Sequence, residues 1–136
     1  MELISNSPEA VARAFVDAIN RHDPEALFAL MMPSHCMIDA LGNRMEGREN
    51  LRPAWAGYFR MVPDYEVAIE ETFSNGPTMV MLGVARGTYT RDGQLRPENR
   101  WQTPLAVRAC VKDGMLDEWR IYADNEPMRR LMANGG

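Results

Sequence analysis

The sequence of 136 residues contains few of the side chains that build metal sites and disulfide frameworks: two cysteines and two histidines. Cys36 and Cys110 lack the spacing of metal ligands, and each lies in an apolar, strand-like run. This context favours buried free thiols over a disulfide bridge. His22 and His35 have no third ligand near them in the sequence, so we expect neither a metal ion nor another cofactor.

Long apolar runs and basic stripes are also missing. No run approaches the roughly 20 apolar residues that a membrane span requires, and residues 1–5 lack the basic and apolar regions of a signal peptide. The net charge of −4 argues against a nucleic-acid-binding surface. We therefore expect a cytoplasmic protein that binds neither membranes nor nucleic acids.

The residues that are present predict one domain that begins with helices. With 46% hydrophobic residues, residues 1–136 can build a single core. Ser7-Pro8-Glu9 and Asp23-Pro24-Glu25 each combine a capping side chain, a proline at the first helical position and an acid near the helix N-terminus. These signals predict two consecutive helices, of which the second ends at Pro33.

A third helix is predicted to begin near Arg48. Pro53 is compatible with that helix only in its first turn, where backbone N–H groups have no intrahelical partner. The side chains that follow form an aromatic stripe that includes Trp55 and Tyr58. Such a stripe is typical of a core, but Trp and Tyr also bring polar tips to a pocket wall. The two interpretations are compatible.

From Tyr65 onward the apolar period changes from helical to two. Glycine-containing turns separate predicted strands that begin near residue 65 and cover residues 78–90, 101–111 and 115–124. Short turns between consecutive strands indicate antiparallel hairpins. Helices followed by a meander predict an α+β fold.

The last predicted strand carries a family resemblance. Trp119-Arg120-Ile121-Tyr122-Ala123-Asp124, preceded by the turn Lys112-Asp113-Gly114, resembles the closing strand of the SnoaL-like branch of the NTF2-like superfamily. The cap and proline at Asn125-Glu126-Pro127 predict a short helix over residues 125–132 after it. The similarity extends in order from about Ser7 to Met132 and identifies residues 1–136 as one SnoaL-like domain.

The resemblance implies an NTF2-like cone, in which a strongly curved antiparallel or mixed sheet wraps around the N-terminal helices and leaves a cavity. Within that cone, Glu118, Arg120, Tyr122 and Asp124 are expected to face the cavity. Trp119 and Ile121 are then expected on the convex face, where an exposed apolar patch favours a homodimer.

The expected ligand is a small hydrophobic molecule. Helix stripes and strand parity predict the side chains that contact it: Phe15, Trp55, Tyr58, Arg86, Trp101, Arg120 and Tyr122.

Asp39 closes a short predicted strand that begins at Cys36. An aspartate in this position is typically a turn former. The segment Met37-Ile38-Asp39-Ala40-Leu41-Gly42 also resembles the segment that carries the general base in the ketosteroid-isomerase relatives. Asp39 is therefore a candidate base.

The resemblance implies three possible mechanisms, which need different residues. The isomerase mechanism needs an oxyanion hole from a helix tyrosine and a strand aspartate, and these positions are Phe15 and Ala106 here. The epoxide-hydrolase relatives use two acids and an arginine; Asp124 and Arg86 match, but the second acid is Thr88. The cyclase relatives depend chiefly on the aspartate that Asp124 matches.

The resulting enzymatic hypothesis is cofactor-independent proton transfer of the cyclase or isomerase type on a hydrophobic carbonyl compound. Asp124 is the predicted acid or base, Asp39 assists or replaces it, and Arg120 and Tyr122 orient the substrate oxygen. One alternative is a non-catalytic, dimeric ligand-binding or assembly module, in which Asp124 only caps the terminal helix. The third possibility is water addition to an epoxide.

Overall fold

The first two helices begin where the capping signals predict. The computed structural model describes residues 7–134, with α1 at Pro8–Asn20 and α2 at Pro24–Leu30. The Ser7 hydroxyl accepts the amide N–H of Ala10 at 3.1 Å, and the Asp23 carboxylate accepts that of Ala26 at 3.1 Å. Both caps satisfy donors that have no partner inside the helix.

The second helix ends earlier than predicted, and Pro33 does not end it. Helix α2 stops at Leu30, and strand β1 (Met31–Ile38) begins at once. Pro33 lies where the pairing of β1 shifts register between Met31 and Cys36. A proline without an N–H is tolerated in a strand at such an irregularity, because no ladder hydrogen bond is lost there.

Pro53 also lies elsewhere than predicted. Helix α3 spans Arg48–Met61, so Pro53 is inside the helix and beyond its first turn. The helix continues through the proline because Leu51, Trp55 and Phe59 are all buried in the core. Their burial outweighs the loss of one backbone hydrogen bond, which costs about 3 kcal/mol or more together with the ring clash.

The second half of the chain forms most of one mixed, six-stranded sheet. Its strand order is β2-β1-β6-β5-β4-β3, in which β1 and β6 are parallel and the other neighbours are antiparallel. The remaining strands are β2 (Arg44–Glu46), β3 (Glu66–Asn75), β4 (Thr78–Thr88), β5 (Arg100–Lys112) and β6 (Met115–Ala123). A 3-10 turn at Pro97–Asn99 precedes β5, and α4 (Glu126–Ala133) follows β6.

The sheet bends at a bulge between β3 and β4. The register shifts between Ile69 and Glu71, opposite Gly83. A Cβ atom at Gly83 would overlap the carbonyl oxygen of Ala68, so only glycine allows the two backbones to approach this closely. Bulges increase local twist and bend, which is how a sheet becomes concave enough to enclose the helices.

The core lies between α1, α3 and the concave face of the sheet. Phe15 from α1 packs on Trp119 from β6 with ring centroids 4.6 Å apart, and on Trp55 from α3 at 6.1 Å. Trp119 is 2% exposed. This arrangement confirms the α+β architecture of a curved sheet around N-terminal helices.

The predicted orientation of the last strand is wrong. Trp119 and Ile121 face the helices, whereas Tyr122 is 49% exposed on the convex side. A period of two divides a strand into two faces but does not say which face is covered. The larger apolar side chains take the covered face because their burial stabilises the fold most.

No helix within residues 7–134 is both long enough and apolar enough to span a bilayer.

Candidate functional site

A cavity of about 330 Å³ lies between α3 and the concave face of the sheet. Strands β1, β4, β5 and β6 each contribute side chains that alternate toward it, and α3 covers it from the other side. The aliphatic lining consists of Met37, Met45, Ala54, Ala85, Leu105, Ile121 and Ala123, together with Ala40.

Four aromatic side chains form one continuous wall of this cavity. Trp55 and Tyr58 come from α3, Tyr65 lies just before β3, and Trp101 belongs to β5. Neighbouring ring centroids are 6.4 Å apart for Trp55 and Tyr58, 4.9 Å for Tyr58 and Tyr65, and 6.1 Å for Tyr65 and Trp101. We call these four side chains the aromatic wall.

The two tyrosines of the aromatic wall remain protonated at neutral pH. Burial raises the pKa of Tyr65 well above its ordinary value. Burial also raises the pKa of Tyr58, and the nearby Tyr65 adds to that shift. The Tyr58 hydroxyl donates to the sulfur of Met128 in α4 at 3.7 Å, and no side chain or carbonyl of residues 7–134 accepts a hydrogen bond from Tyr65.

The tryptophans of the aromatic wall add two further donors. The indole N–H groups of Trp55 and Trp101 are buried, and neither has a hydrogen-bond acceptor in the described part of the chain. Buried polar groups normally have a hydrogen-bond partner, so two unpaired donors in one wall are unusual. Thr103 is also buried and contributes a hydroxyl to the lining.

Asp39 is the carboxylate of the lining. It follows the last residue of β1 and lies on the same side as Met37. One carboxylate oxygen accepts the amide N–H groups of Leu41 and Asn43 at 2.9 Å each, and the other accepts the side-chain amide of Asn43 at 3.2 Å. Asp39 therefore also forms the turn that leads to β2.

The mouth of the cavity near β2 is polar. Arg44 and Asn43 line it from one side, and Asn125, just before α4, from another. Arg44 lies 3.6 Å from the Glu46 carboxylate, and both side chains are more than half exposed. An exposed pair of this kind contributes little to stability.

Asp124 does not line the cavity. Its side chain is exposed, and one carboxylate oxygen accepts the amide N–H of Glu126, the first residue of α4, at 2.9 Å. This contact fits the helix-capping interpretation of Asp124. The structure therefore does not bring Asp124 and Asp39 together as two acids of one cavity.

Four other predicted contacts also lie outside the lining. Phe15 is completely buried in the core. Arg86 lies on the opposite side of β4 from Ala85 and pairs with Glu66 at 2.9 Å. The remaining two are Arg120 and Tyr122, which stack on each other on the convex face with the guanidinium 5.0 Å from the ring centroid. Strand parity places all three polar side chains away from the helices.

The structure does bring Trp55, Tyr58, Trp101 and Asp39 to one cavity. Sequence reasoning missed Tyr65, although it is adjacent to them. Tyr65 precedes β3, and the alternation that starts there indicated a strand rather than a cavity wall. The inward positions of β6 were missed because the wrong face of that strand was chosen.

A metal ion has no evident ligand set in the described residues, since no group of three or more His, Cys, Asp or Glu side chains clusters there. Among these residues, the lining offers one carboxylate, one guanidinium, phenols, indoles, amides and a hydroxyl. These groups are suited to hydrogen bonding and proton transfer.

Several solved structures share this architecture. A protein from Shewanella denitrificans OS-217 assigned as a SnoaL-like polyketide cyclase is 16% identical, with a TM-score of 0.79 over 93% of this chain and 97% of that one. An LEH-like epoxide hydrolase from M. tuberculosis is 18% identical, with a TM-score of 0.76 over 94% and 86%. A hypothetical protein from Catenulispora acidiphila DSM 44928, solved in complex with trimethylamine, is 22% identical, with a TM-score of 0.73 over 85% of each chain.

At these identities the likeness establishes the fold and not the activity. Among curated proteins, none matches the sequence significantly. The model of the SnoaL-like domain matches residues 12–119, which include most of α1, all of α2 and α3, and the sheet through Trp119. The chain therefore belongs to the SnoaL-like family.

Proposed function

We propose that this protein binds a small, largely apolar carbonyl compound in the cavity and transfers a proton at the carbon next to that carbonyl, in a reaction of the cyclase or isomerase type. The observation that carries the proposal is the position of Asp39, a carboxylate on the lining of a cavity that is otherwise mostly aromatic and aliphatic.

The size and composition of the cavity support a small hydrophobic ligand. Ligand pockets typically measure roughly 300–1,000 Å³ and combine apolar walls with a few polar groups. At about 330 Å³ this cavity is at the lower end of that range. A compound of two or three fused or linked rings fits better than a larger polyketide chain.

Asp39 acts as the base in the proposed reaction. Its carboxylate accepts a proton from the carbon next to the carbonyl, and the electrons of the broken C–H bond form an enolate. The enolate is then reprotonated at another carbon, or attacks a second carbonyl of the same molecule to close a ring. Asp39 returns the proton in either case, so no external reactant is consumed.

A binding module without catalysis is the second candidate. Three hydrogen bonds from residues of the same turn already engage the Asp39 carboxylate. A carboxylate that mainly holds a turn has fewer free lone pairs for a substrate proton. Water addition to an epoxide is not part of the proposal, because Asp124 and Arg86 both lie outside the lining.

Exchange of the ligand's C–H protons for deuterium tests the proposal, and this test does not require the product to be known. Bicyclic aromatic ketones are screened by quenching of tryptophan fluorescence, since two of the three tryptophans belong to the aromatic wall. Each ligand is then incubated with the protein in D₂O, and NMR follows deuteration next to the carbonyl. We expect binding together with protein-dependent deuteration.

A cavity-filling variant is the control. Ile121→Trp places a large side chain in the lining and is expected to abolish both quenching and exchange. Binding of a ketone without its deuteration would favour the non-catalytic binding module. If no ketone binds, or if the filled variant binds as well as the original protein, the proposal fails.

We also propose that a second copy of the chain pairs with the convex face of the sheet. Trp119 and Ile121 do not support this pairing, because both face inward. Its support is a row of three partly exposed side chains on neighbouring strands. Leu82 on β4 pairs with Ala106 on β5, and Ala106 pairs with Tyr122 on β6. Sedimentation is expected to give a dimer at micromolar concentration, and Ala106→Glu is expected to give a monomer. A monomeric original protein would rule out the pairing.

A further inference from the structure

The aromatic wall carries more hydrogen-bond donors than the protein uses. The hydroxyl of Tyr65 has no acceptor within residues 7–134, and the buried indole N–H groups of Trp55 and Trp101 have none there either. Trp55 is only 5% exposed. An unpaired buried donor costs about 1–3 kcal/mol, so the two indole N–H groups of the wall come at an appreciable cost in stability.

The fourth donor of the wall has a weak partner. Tyr58 donates to the sulfur of Met128 over 3.7 Å, and a thioether is a poor acceptor compared with a carbonyl oxygen. The rings of Tyr58 and Tyr65 meet edge to face at 4.9 Å. Both side chains line the same cavity, so one ligand can contact both of them.

We propose that the hydroxyls of Tyr58 and Tyr65 form the donor pair that recognises the carbonyl oxygen of the ligand, so that this end of the cavity selects compounds with an acceptor oxygen. The inference rests on the proposed function and adds the recognition group and its location. The oxygen lies at the aromatic wall, and the carbon that loses its proton faces Asp39.

The protonation state of the phenols fits this role. Both pKa values are raised by burial, so both groups stay neutral donors through neutral and mildly alkaline pH. A neutral donor stabilises the partial negative charge of a ketone oxygen, and stabilises the fuller charge of an enolate more strongly. The same pair therefore favours binding and lowers the barrier to proton removal.

A cationic ligand is the competing occupant. An ammonium group is attracted to the faces of aromatic rings, and four rings line this wall. Unpaired N–H and O–H donors favour an acceptor, however, because their hydrogens repel a cation. The binding test must therefore include an ammonium compound.

The test uses four naphthalene derivatives of similar shape. These are 2-acetylnaphthalene, its hydrocarbon isostere 2-isopropylnaphthalene, trimethyl(2-naphthyl)ammonium, and the neutral isostere 2-tert-butylnaphthalene. Affinities are measured by fluorescence titration for the original protein and for Tyr65→Phe and Tyr58→Phe. Tyr122→Phe is the matched control, since it removes the same hydroxyl from the exposed convex face.

We expect Tyr65→Phe to weaken binding of the ketone about 3- to 10-fold and binding of the hydrocarbon by less than about 2-fold. Infrared spectra should show a lower carbonyl stretching frequency for the ketone bound to the original protein than for the ketone bound to Tyr65→Phe. Thermal stability of Tyr65→Phe should equal or exceed that of the original protein, because the lost hydroxyl has no partner. Tyr122→Phe should change neither the affinities nor the stretching frequency.

Equal losses for ketone and hydrocarbon would overturn the inference while leaving the cavity as a binding site. An ammonium compound that binds more tightly than the ketone, relative to their neutral isosteres, would overturn it in favour of a cation site. If none of the four compounds binds, the proposed function fails and the inference fails with it. An unchanged stretching frequency in Tyr65→Phe would assign the recognition of the oxygen to other groups.

Discussion

The two faces of β6 have opposite chemical character within nine residues. The concave face presents Trp119, Ile121 and Ala123, which pack on the helices or line the cavity. The convex face presents Glu118, Arg120 and Tyr122, whose contacts are with neighbours on the same surface. Glu118 pairs with Arg108 on β5, and Arg120 stacks on Tyr122.

This difference shows where a cavity of this kind obtains its polar groups. Alternation along the strand supplies a dry, apolar interior, because a charged side chain on the concave face would have to be desolvated without a partner. Polar groups reach the cavity in two other ways: from residues at the ends of strands and helices, and from aromatic side chains with polar tips. Asp39 at the end of β1 is an example of the first route, and Tyr58 of the second.

Truncation on each face of β6 gives the largest expected contrast. Trp119→Ala removes a side chain that is 2% exposed and in contact with Phe15, and should lower the free energy of unfolding by about 3–5 kcal/mol. Tyr122→Ala removes a side chain that is 49% exposed in the single chain and should lower it by less than about 1 kcal/mol at protein concentrations low enough to keep the chain monomeric. Urea denaturation measures both.

Similar losses in the two variants at such low concentrations would contradict this contrast, whereas a larger loss for Tyr122→Ala at higher concentration would support the proposed pairing on the convex face. Measurement at several protein concentrations distinguishes that case, because a dimer interface makes the loss for Tyr122→Ala depend on concentration.

The two faces also show what the sequence predicts and what it does not. Hydrophobic periods and caps located α1, the four hairpin strands and α4, since these signals depend on a few neighbouring residues. Which face of β6 is covered depends on α1 and α3, which lie far away in the sequence. Period alone does not carry that information.

The candidate site was predicted in part for the same reason. The helix stripe identified Trp55 and Tyr58, because a helix of this length has one covered face. Asp39 was identified through a short segment at a strand end. Arg86, Arg120 and Tyr122 were assigned to the cavity by their chemistry, although the sheet places them on its outer side.

Substitution of the two aspartates extends the comparison to function. Asp39→Asn should reduce protein-dependent deuteration of a bound ketone by about 10² or more, because the amide no longer accepts the proton. Asp124→Asn should leave the rate unchanged, since Asp124 lies outside the lining and an amide oxygen still accepts the Glu126 N–H. NMR in D₂O measures both rates.

The affinity for the ketone shows whether Asp39→Asn removes only the base or also disrupts the turn that Asp39 forms. Asp39→Asn should bind the ketone about as tightly as the original protein, and its far-UV circular dichroism should be unchanged. A rate that falls with Asp124→Asn and not with Asp39→Asn would contradict the assignment and support the family comparison based on Asp124.

Buried His35 provides a test of whether the concave face excludes charge. The expected change in stability is the smallest of the effects predicted for the variants. His35 lies on β1, on the same side as Met37, and is completely buried beside Phe15. Its Nδ1–H donates to the Leu116 carbonyl at 2.9 Å, and Nε2 has no partner among residues 7–134. Protonation would place a charge and an unpaired N–H in the core.

Burial accordingly lowers the pKa of His35 below its ordinary value of 6.5, against smaller opposing effects of the Leu116 carbonyl, Asp117 and Glu118. Below pH 6.5 the unfolded chain then binds a proton that the folded chain resists. The free energy of unfolding should fall by up to about 1.4 kcal/mol per pH unit, until the pH reaches the pKa of the folded state. His35→Gln keeps a donor for Leu116 and does not titrate, so its loss of stability between pH 8 and pH 5 should be smaller. Urea denaturation of both proteins across this range measures the difference, and parallel pH profiles would show that His35 is hydrated or paired in solution.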